Sequence, residues 1–315
     1  MSNELIFDDF GKPSVMVKIA KFYLDEVIVG APRIPHPAFV IDGAEIPEIY
    51  ISKYQNIIVD GRAYSLPFQR PAGDITFDEV RKACEDKGHG WHLMTNAEWA
   101  AIALWTKKNN TLPRGNNNCG SDYRHPDEKG IAFDNYWVLT GSGPAAWAHD
   151  HTPYGIFDMN GNAWEWVAGL RLLGGEIQII PGNNAAKHVD QSPGSSEWQP
   201  LMLDRKSIKY SETENGIKVT TDDPERSWDD YYFKDIETDI TEPEALKSLE
   251  ALGLYPAAGA EMTGYFGADL NGERLPIRGG YWSSTSSAGV FALNLSNPRS
   301  NVGASIGFRS AFVAL

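Results

Sequence analysis

The sequence has 315 residues, 42% of them hydrophobic, and a formal net charge of −14 at pH 7. Its length exceeds the roughly 100 to 150 residues of a common single domain, which favours one elaborated domain or a domain with a large insertion. The acidity argues against non-specific binding to nucleic acid or anionic lipid, because both depend on clustered Lys and Arg. The 10 Trp, 13 Tyr and 13 Phe residues exclude an intrinsically disordered chain.

The N-terminal residues and the cysteines indicate the cellular compartment in which the protein is made. The first nine residues contain neither a basic region nor a long apolar run, so we expect no secretory signal peptide and synthesis in the cytoplasm. No stretch approaches the roughly 20 apolar residues of a membrane span. Cys84 and Cys119 are the two cysteines, which excludes a disulfide framework and leaves a single bridge open.

The first third of the chain predicts strands and two helices. Residues 1–45 combine short apolar runs with several prolines, which indicates an N-terminal extension of strands and turns. Two capping-box patterns follow, Thr76 with Glu79 and Thr95 with Glu98, and apolar residues recur at helical spacing after each. We therefore predict a helix over about 77–87 and a second helix that ends near Asn109.

Residues 114–153 are rich in Asn, Gly, Asp and Pro, which predicts a long loop with little regular structure. Such a loop needs packed side chains or a bound ion to hold its shape, and Trp137, Trp147 and Tyr154 are candidates for packing. His149, Asp150 and His151 could bind a metal, although surface histidines in a polar loop are the commoner interpretation.

Residues 172–275 differ in composition from the preceding sequence, and we interpret them as an insertion or subdomain. They contain predicted strands at Ile177–Ile180 and Ile217–Thr220, an acidic run at 222–235 and a third capping-box pattern at Thr241–Glu244. The acidic aromatic patch at 228–233 could contact a partner or form a solvated face anchored by aromatic side chains.

Three segments resemble, in order, motifs of the formylglycine-generating-enzyme or sulfatase-modifying family. Residues 92–99, HLMTNAEW, resemble R-L-P-T-E-A-E-W. Residues 154–166, YGIFDMNGNAWEW, resemble G-L-Y-D-M-x-G-N-V-W-E-W. Residues 278–282, RGGYW, with 307–309, GFR, resemble R-G-G-S-W and G-F-R. The middle motif is the specific one, and the order of all three adds to it.

This resemblance implies an α+β, C-type-lectin-like fold with short helices around small antiparallel sheets and a large insertion. The implied organisation is an extension at 1–45, the first part of the lectin-like domain at 46–171, the insertion at 172–275 and the C-terminal part of the domain at 276–315. Trp164 and Trp166 alternate with Glu165, so in an extended strand both indoles face one side and the carboxylate faces the other.

The same resemblance suggests a structural calcium ion. Asp158, the carbonyls of Gly161 and Ala163, and Glu165 match the positions at which the enzymes of this family hold calcium, and closely spaced oxygen ligands suit that ion. The alternative is that Asp158 and Glu165 only bind turn amides.

The catalytic features of the family are missing. Its enzymes use a pair of cysteines shortly before the terminal G-F-R, and residues 276–315 contain no cysteine. The H-x-x-x-H-x-E pattern of related iron-dependent sulfoxide synthases is also absent. We therefore expect a protein that is not an enzyme and has no redox cofactor, because a fold can be kept without its chemistry.

The segment from Arg278 to Arg309 resembles the variable region of diversity-generating-retroelement proteins, which bind ligands on this scaffold. Adenine-directed diversification of Asn codons cannot produce Lys, Glu, Gln, Met or Trp, and residues 276–315 contain none of these except Trp282 in the RGGYW motif. The resemblance implies the following ligand-binding positions: Tyr281, Ser283, Ser284, Thr285, Ser286, Ser287, Ala292, Ser296, Val302, Gly303, Ala304 and Ser305. The apolar residues between them are expected to form a buried frame: Val290, Phe291, Leu293, Leu295, Ile306 and Phe308.

The function implied is non-enzymatic binding of a protein or glycan target on a host cell surface, as in viral receptor binding. Such a protein would be virion-associated or displayed on a cell, with no nucleic-acid partner and no membrane span. Arg278 and Arg309 are expected to satisfy buried carbonyls or a carboxylate rather than to bind RNA. For the function of the chain, the alternatives are a metal-dependent oxidase of the formylglycine-generating type that uses an unrecognised site, and an invariant structural virion component. For the segment from Arg278 to Arg309, the alternative is a set of Ser- and Gly-rich loops without a variable surface.

Overall fold

The computed structural model describes residues 2–214, 216–224, 230–258 and 262–315. Within these ranges the fold is mixed α+β, with many short strands and few helices. The helices are α1 Leu24–Val27, α2 Phe77–Glu85, α3 Asn96–Lys108 and α4 Pro243–Ala251. The strands are β1 Asn3–Phe7, β2 Pro13–Ala20, β3 Val40–Ile41, β4 Ala44–Glu45, β5 Glu48–Ser52, β6 Ile57–Val59, β7 Arg62–Tyr64, β8 Trp91–Leu93, β9 Trp164–Trp166, β10 Leu170–Leu173, β11 Glu176–Ile179, β12 Gln199–Pro200, β13 Met202–Leu203, β14 Lys206–Ser207, β15 Lys209–Thr213, β16 Gly216–Thr220, β17 Asp230–Tyr232, β18 Glu237–Thr238, β19 Tyr265–Ala268, β20 Glu273–Gly279, β21 Gly289–Asn297, β22 Ile306–Phe308 and β23 Ser310–Phe312.

Both predicted helices of the first third are present and begin at the expected caps. The Thr76 hydroxyl accepts a hydrogen bond from Glu79 N and the Thr95 hydroxyl accepts one from Glu98 N, with the reciprocal glutamate contact in each case. The third capping box is wrong, because α4 begins at Pro243 and Glu242 is its N-cap. Proline favours the first helical position, where its fixed φ fits and its missing N–H costs nothing.

The two threonine caps differ in burial, which gives a stability prediction. Thr95 is 1% exposed, and its hydroxyl also donates to Asn183 Oδ1 at 2.6 Å. Replacing Thr95 with Ala leaves buried polar groups without partners, so we expect a loss of about 2 kcal/mol in the free energy of unfolding, against about 1 kcal/mol for Thr76→Ala. Urea unfolding of the two variants measures the difference, and equal losses would contradict it.

One sheet carries both ends of the chain. In the described residues its strand order is β1-β2-β5-β23-β8, so the C-terminal strand β23 lies between β5 and β8. Ala311 is opposite Ile51 on one side and opposite His92 on the other. This arrangement places the end of β5 beside the terminal GFR segment.

The larger sheet joins the central motif to the C-terminal strands. Strand β9 lies between β20 and β22, with Glu165 opposite Arg278 and Gly307. The same sheet continues through β10, β11, β15, β16 and β18, so strands from residues 172–275 are hydrogen-bonded to those of the lectin-like part. The predicted strands at Ile177–Ile180 and Ile217–Thr220 correspond to β11 and β16. The division into domains stays a prediction.

The long loop at 114–153 has little regular structure, as predicted: a short 3₁₀ turn at Ala145–Trp147 and isolated bridges in the described chain. Trp137 and Trp147 are buried and hold its shape, whereas Tyr154 is 62% exposed, so its predicted packing role is wrong. Of the acidic aromatic patch, residues 228 and 229 lie outside the described residues, Tyr232 is exposed and Phe233 is buried.

Further features concern the cysteines and the membrane. Cys84 is buried and Cys119 exposed, and both are free thiols, so the single bridge left open by the sequence is not formed. Across the described residues, no helix combines the length and the apolar character that crossing a bilayer requires.

Candidate binding surface

Two loops of the C-terminal segment converge on one short stretch of backbone. The first loop, residues 280–288, connects β20 to β21, and the second, residues 298–305, connects β21 to β22. Trp282 N donates to Asn162 O at 3.2 Å, and Trp164 N donates to Ser305 O at 2.9 Å. Both loops are therefore held by main-chain hydrogen bonds at the start of β9.

Backbone contacts from other segments hold the loops as well. Cys119 N donates to Trp282 O at 2.7 Å and Thr285 N donates to Asn117 O at 2.8 Å. On the second loop, Asp74 N donates to Gly303 O at 2.9 Å. Because these bonds use main-chain atoms of the loops, they do not depend on which side chains the loops carry.

The two glycines of RGGYW let the first loop leave β20. Gly279 and Gly280 have φ values of +94° and +86°, in the left-handed region that residues with a Cβ rarely adopt. A Cβ on Gly280 would lie 2.7 Å from Ala288 Cβ, and one on Gly279 would lie 3.1 Å from Met159 O. Other residues at these positions would displace the loop.

Most of the predicted ligand-binding positions reach the surface. All twelve lie in the described chain. The exposed ones are Ser283, Thr285, Val302 and Ala304. The half-buried ones are Tyr281, Ser284, Ser286, Ser287, Ser296, Gly303 and Ser305. Ala292 is fully buried, so its inclusion needs correction: its side chain packs in the core with Trp164 and Trp166 and cannot contact a target.

Ser296 differs from the loop positions. It lies near the far end of β21, where its N–H donates to Asn294 Oδ1 at 2.8 Å. Its hydroxyl oxygen is buried and, in the described residues, has no hydrogen-bond partner. The residues that the structure brings together are thus 281–287 and 302–305.

The predicted hydrophobic frame is confirmed. Its six side chains are 6% exposed or less: Val290, Phe291, Leu293, Leu295, Ile306 and Phe308. The two indoles of β9 share a cluster with Phe308 and Ile306, while Glu165 forms an ion pair with Arg309. Strand alternation therefore places the Trp pair and the carboxylate as expected.

An aromatic rim adjoins the first loop and was not predicted from the sequence. Trp282 lies between Tyr281, Tyr136 and Trp137, at ring-centroid distances of 5.3, 6.0 and 4.5 Å. Tyr136 is 51% exposed and Phe133 is 53% exposed. The available signal was the density of aromatic residues at 133–137, three in five within an otherwise polar loop.

Segment 70–74 joins the rim to the second loop. The Arg70 guanidinium lies 5.3 Å from the Phe133 ring and 5.6 Å from the Trp137 ring. Gly73 packs so closely on the second loop that an added Cβ would lie 2.6 Å from Ala304 O. The rim, segment 70–74 and both loops thus form one continuous surface, which we call the loop surface.

Two buried arginines lie beneath this surface. Arg278 is 1% exposed and donates to Asn96 Oδ1 at 2.6 Å and to Gly253 O at 3.1 Å. Burial lowers the pKa of Arg278 to about 9. Arg309 is fully buried and donates to Glu165 and to the carbonyls of Ser52 and Phe157. Both guanidinium groups thus satisfy buried carbonyls or a carboxylate, as expected.

Comparison with known families agrees with the motifs. Residues 2–199 match the model of the sulfatase-modifying factor enzyme 1-like domain. The chain belongs to this family. The expected α+β fold of the formylglycine-generating-enzyme type is thereby confirmed.

Solved structures with a similar fold are distant in sequence. PvdO from Pseudomonas aeruginosa is 14% identical with a TM-score of 0.44, over 100% of this chain and 99% of that one. Treponema denticola variable protein 1 is 13% identical with a TM-score of 0.38, over 98% of both chains. The U1 variant of Major Tropism Determinant is 13% identical with a TM-score of 0.34, over 96% of this chain and 58% of that one. No curated protein matches the chain.

In this sulfatase-modifying-factor-like chain neither cysteine lies in the C-terminal segment 276–315. Cys84 packs with Phe77 and Trp166, and burial raises the pKa of its thiol. Cys119 is exposed in the loop beside Trp282. Across the described ranges, no group of three or more His, Cys, Asp or Glu residues could hold a metal ion.

The two histidines of the long loop differ in burial, and His151 is only half-buried. His149 is fully buried, which corrects the surface interpretation, and its Nδ1 accepts a hydrogen bond from Ile156 N at 2.8 Å. Burial lowers the pKa of His149 to about 4. His151 Nε2 lies 3.1 Å from Leu112 O, and Asp150 accepts from Thr152 N. Each of the three side chains thus stabilises the loop.

The four residues predicted to bind calcium do come together. Their oxygens surround the side-chain nitrogen of Gln55, which donates to Asp158 O, Gly161 O, Ala163 O and Glu165 Oε1 at 3.2, 3.4, 2.9 and 3.0 Å. A hydrogen-bond donor at the centre of these oxygens does not fit a cation at the same place. Sequence reasoning missed Gln55, because a single glutamine 103 residues from Asp158 carries no recognisable pattern.

Proposed function

We propose that this chain is a non-enzymatic ligand-binding protein that contacts a protein or glycan target through the loop surface. The observation that carries the proposal is the clustering of residues 281–287 and 302–305 at the start of β9, on loops held through main-chain atoms. Exchange of exposed side chains such as Ser283 and Val302 then leaves the hydrogen bonds that shape the loops intact.

The chemistry of the surface suits recognition. Small polar side chains adapt their hydrogen bonds to different partners, while rigid aromatic side chains supply contact area at low entropic cost. The loop surface combines both, with serines in the first loop and the exposed rings of Phe133 and Tyr136 beside it. The buried frame beneath it provides the rigid support that a binding site needs.

We further propose that residues 281–287 and 302–305 are diversified by a retroelement, and that the target lies on a host cell surface. A virion-associated or cell-displayed protein that is made in the cytoplasm would fit this role. Sequencing the DNA beside the gene tests the diversification: a near-identical repeat that differs at adenines, with a reverse-transcriptase reading frame, supports it. An invariant structural virion component predicts neither.

The binding role gives a prediction for three exposed positions. We expect the triple variant Ser283→Tyr, Val302→Asn and Ala304→Tyr to change the pattern of bound targets on glycan and host-membrane-protein arrays, with affinity for the wild-type target reduced about 10-fold or more. The melting temperature should change by no more than about 2 °C, because exposed side chains away from caps and cores contribute little to stability.

The matched control is Leu293→Ala in the buried frame. It should lower the melting temperature clearly through the cavity it creates, yet leave the set of bound targets unchanged while the protein stays folded. An unchanged array pattern for the triple variant would contradict the proposed surface.

The oxidase alternative is tested by copper titration with an oxygen-consumption assay on a Cys-containing peptide, in which turnover would overturn the non-enzymatic proposal.

A further inference from the structure

Gln55 occupies an unusual place between the end of β5 and the loop that leads into β9. Its side chain is fully buried, and four oxygen atoms lie within 3.4 Å of its Nε2. An amide nitrogen carries two hydrogens, so four acceptors exceed its donors. Oxygens gathered in this way around one point are typical of a cation site.

The orientation of the Gln55 amide is determined by its surroundings. Its Oε1 accepts a hydrogen bond from Asn162 Nδ2 at 3.0 Å. Asn162 is itself held, because its Oδ1 accepts from Asn116 Nδ2 and from Val138 N at 3.0 and 3.2 Å. Turning the Gln55 amide over would place its oxygen against four other oxygens, so the NH₂ group faces them.

The loop that supplies the oxygens is shaped by its backbone. Asp158, Gly161 and Asn162 have φ values of +63°, +80° and +62°, in the left-handed region. A Cβ on Gly161 would lie 2.1 Å from Asn116 O, so glycine is required there. These turns point the carbonyls of Asp158, Gly161 and Ala163 toward Gln55.

Among the acidic side chains around Gln55, Glu165 is already paired with a cation. Glu165 supplies the one carboxylate oxygen that faces Nε2, and both of its oxygens accept hydrogen bonds from Arg309, at 2.5 and 2.6 Å. Asp158 Oδ2 instead accepts from Gly141 N at 2.9 Å, whereas Asp158 Oδ1 is buried and has no hydrogen-bond partner among the described residues. The four N···O distances, 2.9 to 3.4 Å, also exceed the roughly 2.3 to 2.6 Å of calcium ligands.

We propose that the Gln55 carboxamide takes the place of a structural cation in this chain. It cross-links the end of β5 to the 158–165 loop through hydrogen bonds, so the fold requires no calcium. The four oxygens keep the arrangement of a cation site, and a shorter acidic side chain at position 55 restores the ability to hold one.

The experiment compares wild-type protein with Gln55→Asp and Gln55→Asn in chelator and in millimolar calcium. Both substitutions withdraw the side chain by one methylene, and only Asp adds a negative charge. We expect the wild-type melting temperature to differ by less than about 1 °C between the two conditions. That of Gln55→Asp should rise by roughly 5 °C or more in calcium, because a ligand that binds only the folded state stabilises it. Gln55→Asn should respond less.

Terbium provides a second readout, since its emission is sensitised by nearby aromatic residues. Gln55→Asp should show sensitised emission that calcium competes away, and the wild type should show none at this site. A wild-type protein that calcium stabilises, or that chelator destabilises, would overturn the proposal and needs no variant to fold. Equal stability of Gln55→Asp and wild type in chelator, or a Gln55→Asp that gains nothing from calcium, would overturn it as well.

Discussion

Replacing Arg309 with Met should lower the free energy of unfolding by about 3 to 5 kcal/mol, because it leaves the buried Glu165 carboxylate without its cation. Arg309 and Glu165 are both fully buried, and two hydrogen bonds join them. The same substitution removes the donors to Ser52 O and Phe157 O. Urea unfolding at pH 7 measures the loss.

Arg278→Met is the matched control. Arg278 is equally buried, but its partners in the described chain are the Asn96 side-chain oxygen and the carbonyls of Leu252 and Gly253, with no carboxylate. Its removal breaks hydrogen bonds without exposing an unpaired charge, so we expect a smaller loss of about 1 to 3 kcal/mol. If the loss for Arg309→Met is no larger than the loss for Arg278→Met, the ion pair with Glu165 contributes no more to the free energy of unfolding than uncharged hydrogen bonds do.

A double variant separates the energy of the Arg309–Glu165 ion pair from that of the other contacts of the two residues. Glu165→Gln added to Arg309→Met removes the unpaired charge, so the double variant should be more stable than Arg309→Met alone. Arg309→Lys should fall between wild type and Arg309→Met, because lysine keeps the charge but lacks the planar fork that contacts both carboxylate oxygens. These comparisons decide whether the charge of Arg309 or the planar shape of its guanidinium group determines the stability of the junction between the two sheets.

Features with a local pattern were predictable from the sequence. The caps at Thr76 and Thr95 depend on residues three apart, and the structure has both helices where these patterns place them. The alternation of Trp164, Glu165 and Trp166 likewise follows from strand geometry alone. Arg278 and Arg309 were expected to satisfy buried acceptors, and they do.

Features that depend on contacts between distant segments were not predictable in the same way. The resemblance implied that Ala292 is a ligand-binding position, and strand alternation puts its side chain on the opposite face from Phe291 and Leu293. The structure covers that face with a second cluster that contains Trp164 and Phe308. The hydrogen bonds of Gln55 to Asp158 and beyond, and the stacking of Tyr136 on Trp282, likewise join segments whose separation along the chain hides their proximity.

His36 should make the protein acid-sensitive in a defined interval. It is fully buried, Nε2 donates to Ala251 O at 2.8 Å and Nδ1 accepts from Ala38 N at 3.2 Å, which is the neutral form. Burial lowers the pKa of His36 from 6.5 to about 3. Because the pKa of His36 is lower in the folded state than in the unfolded state, its contribution to the free energy of unfolding is fully present above pH 6.5. That contribution is lost as the pH falls toward 3.

Between pH 7.5 and pH 5 this linkage removes roughly 2 kcal/mol of the free energy of unfolding, since each pH unit below 6.5 costs about 1.4 kcal/mol per proton. Other buried groups titrate in the same interval: the lowered pKa of His149 adds to the loss, and the pKa of Asp158, raised to about 6 by burial, opposes it. The measurement is therefore a difference between variants across the two pH values.

His36→Gln keeps a donor for Ala251 O and cannot be protonated in this range. It should be less stable than wild type at pH 7.5, and its free energy of unfolding should fall by roughly 2 kcal/mol less than that of wild type when the pH is lowered to 5. His125→Gln, at an exposed position, should follow the wild-type pH profile. If His36→Gln and wild type lose the same amount, His36 is not the buried neutral group that its hydrogen bonds to Ala38 and Ala251 require.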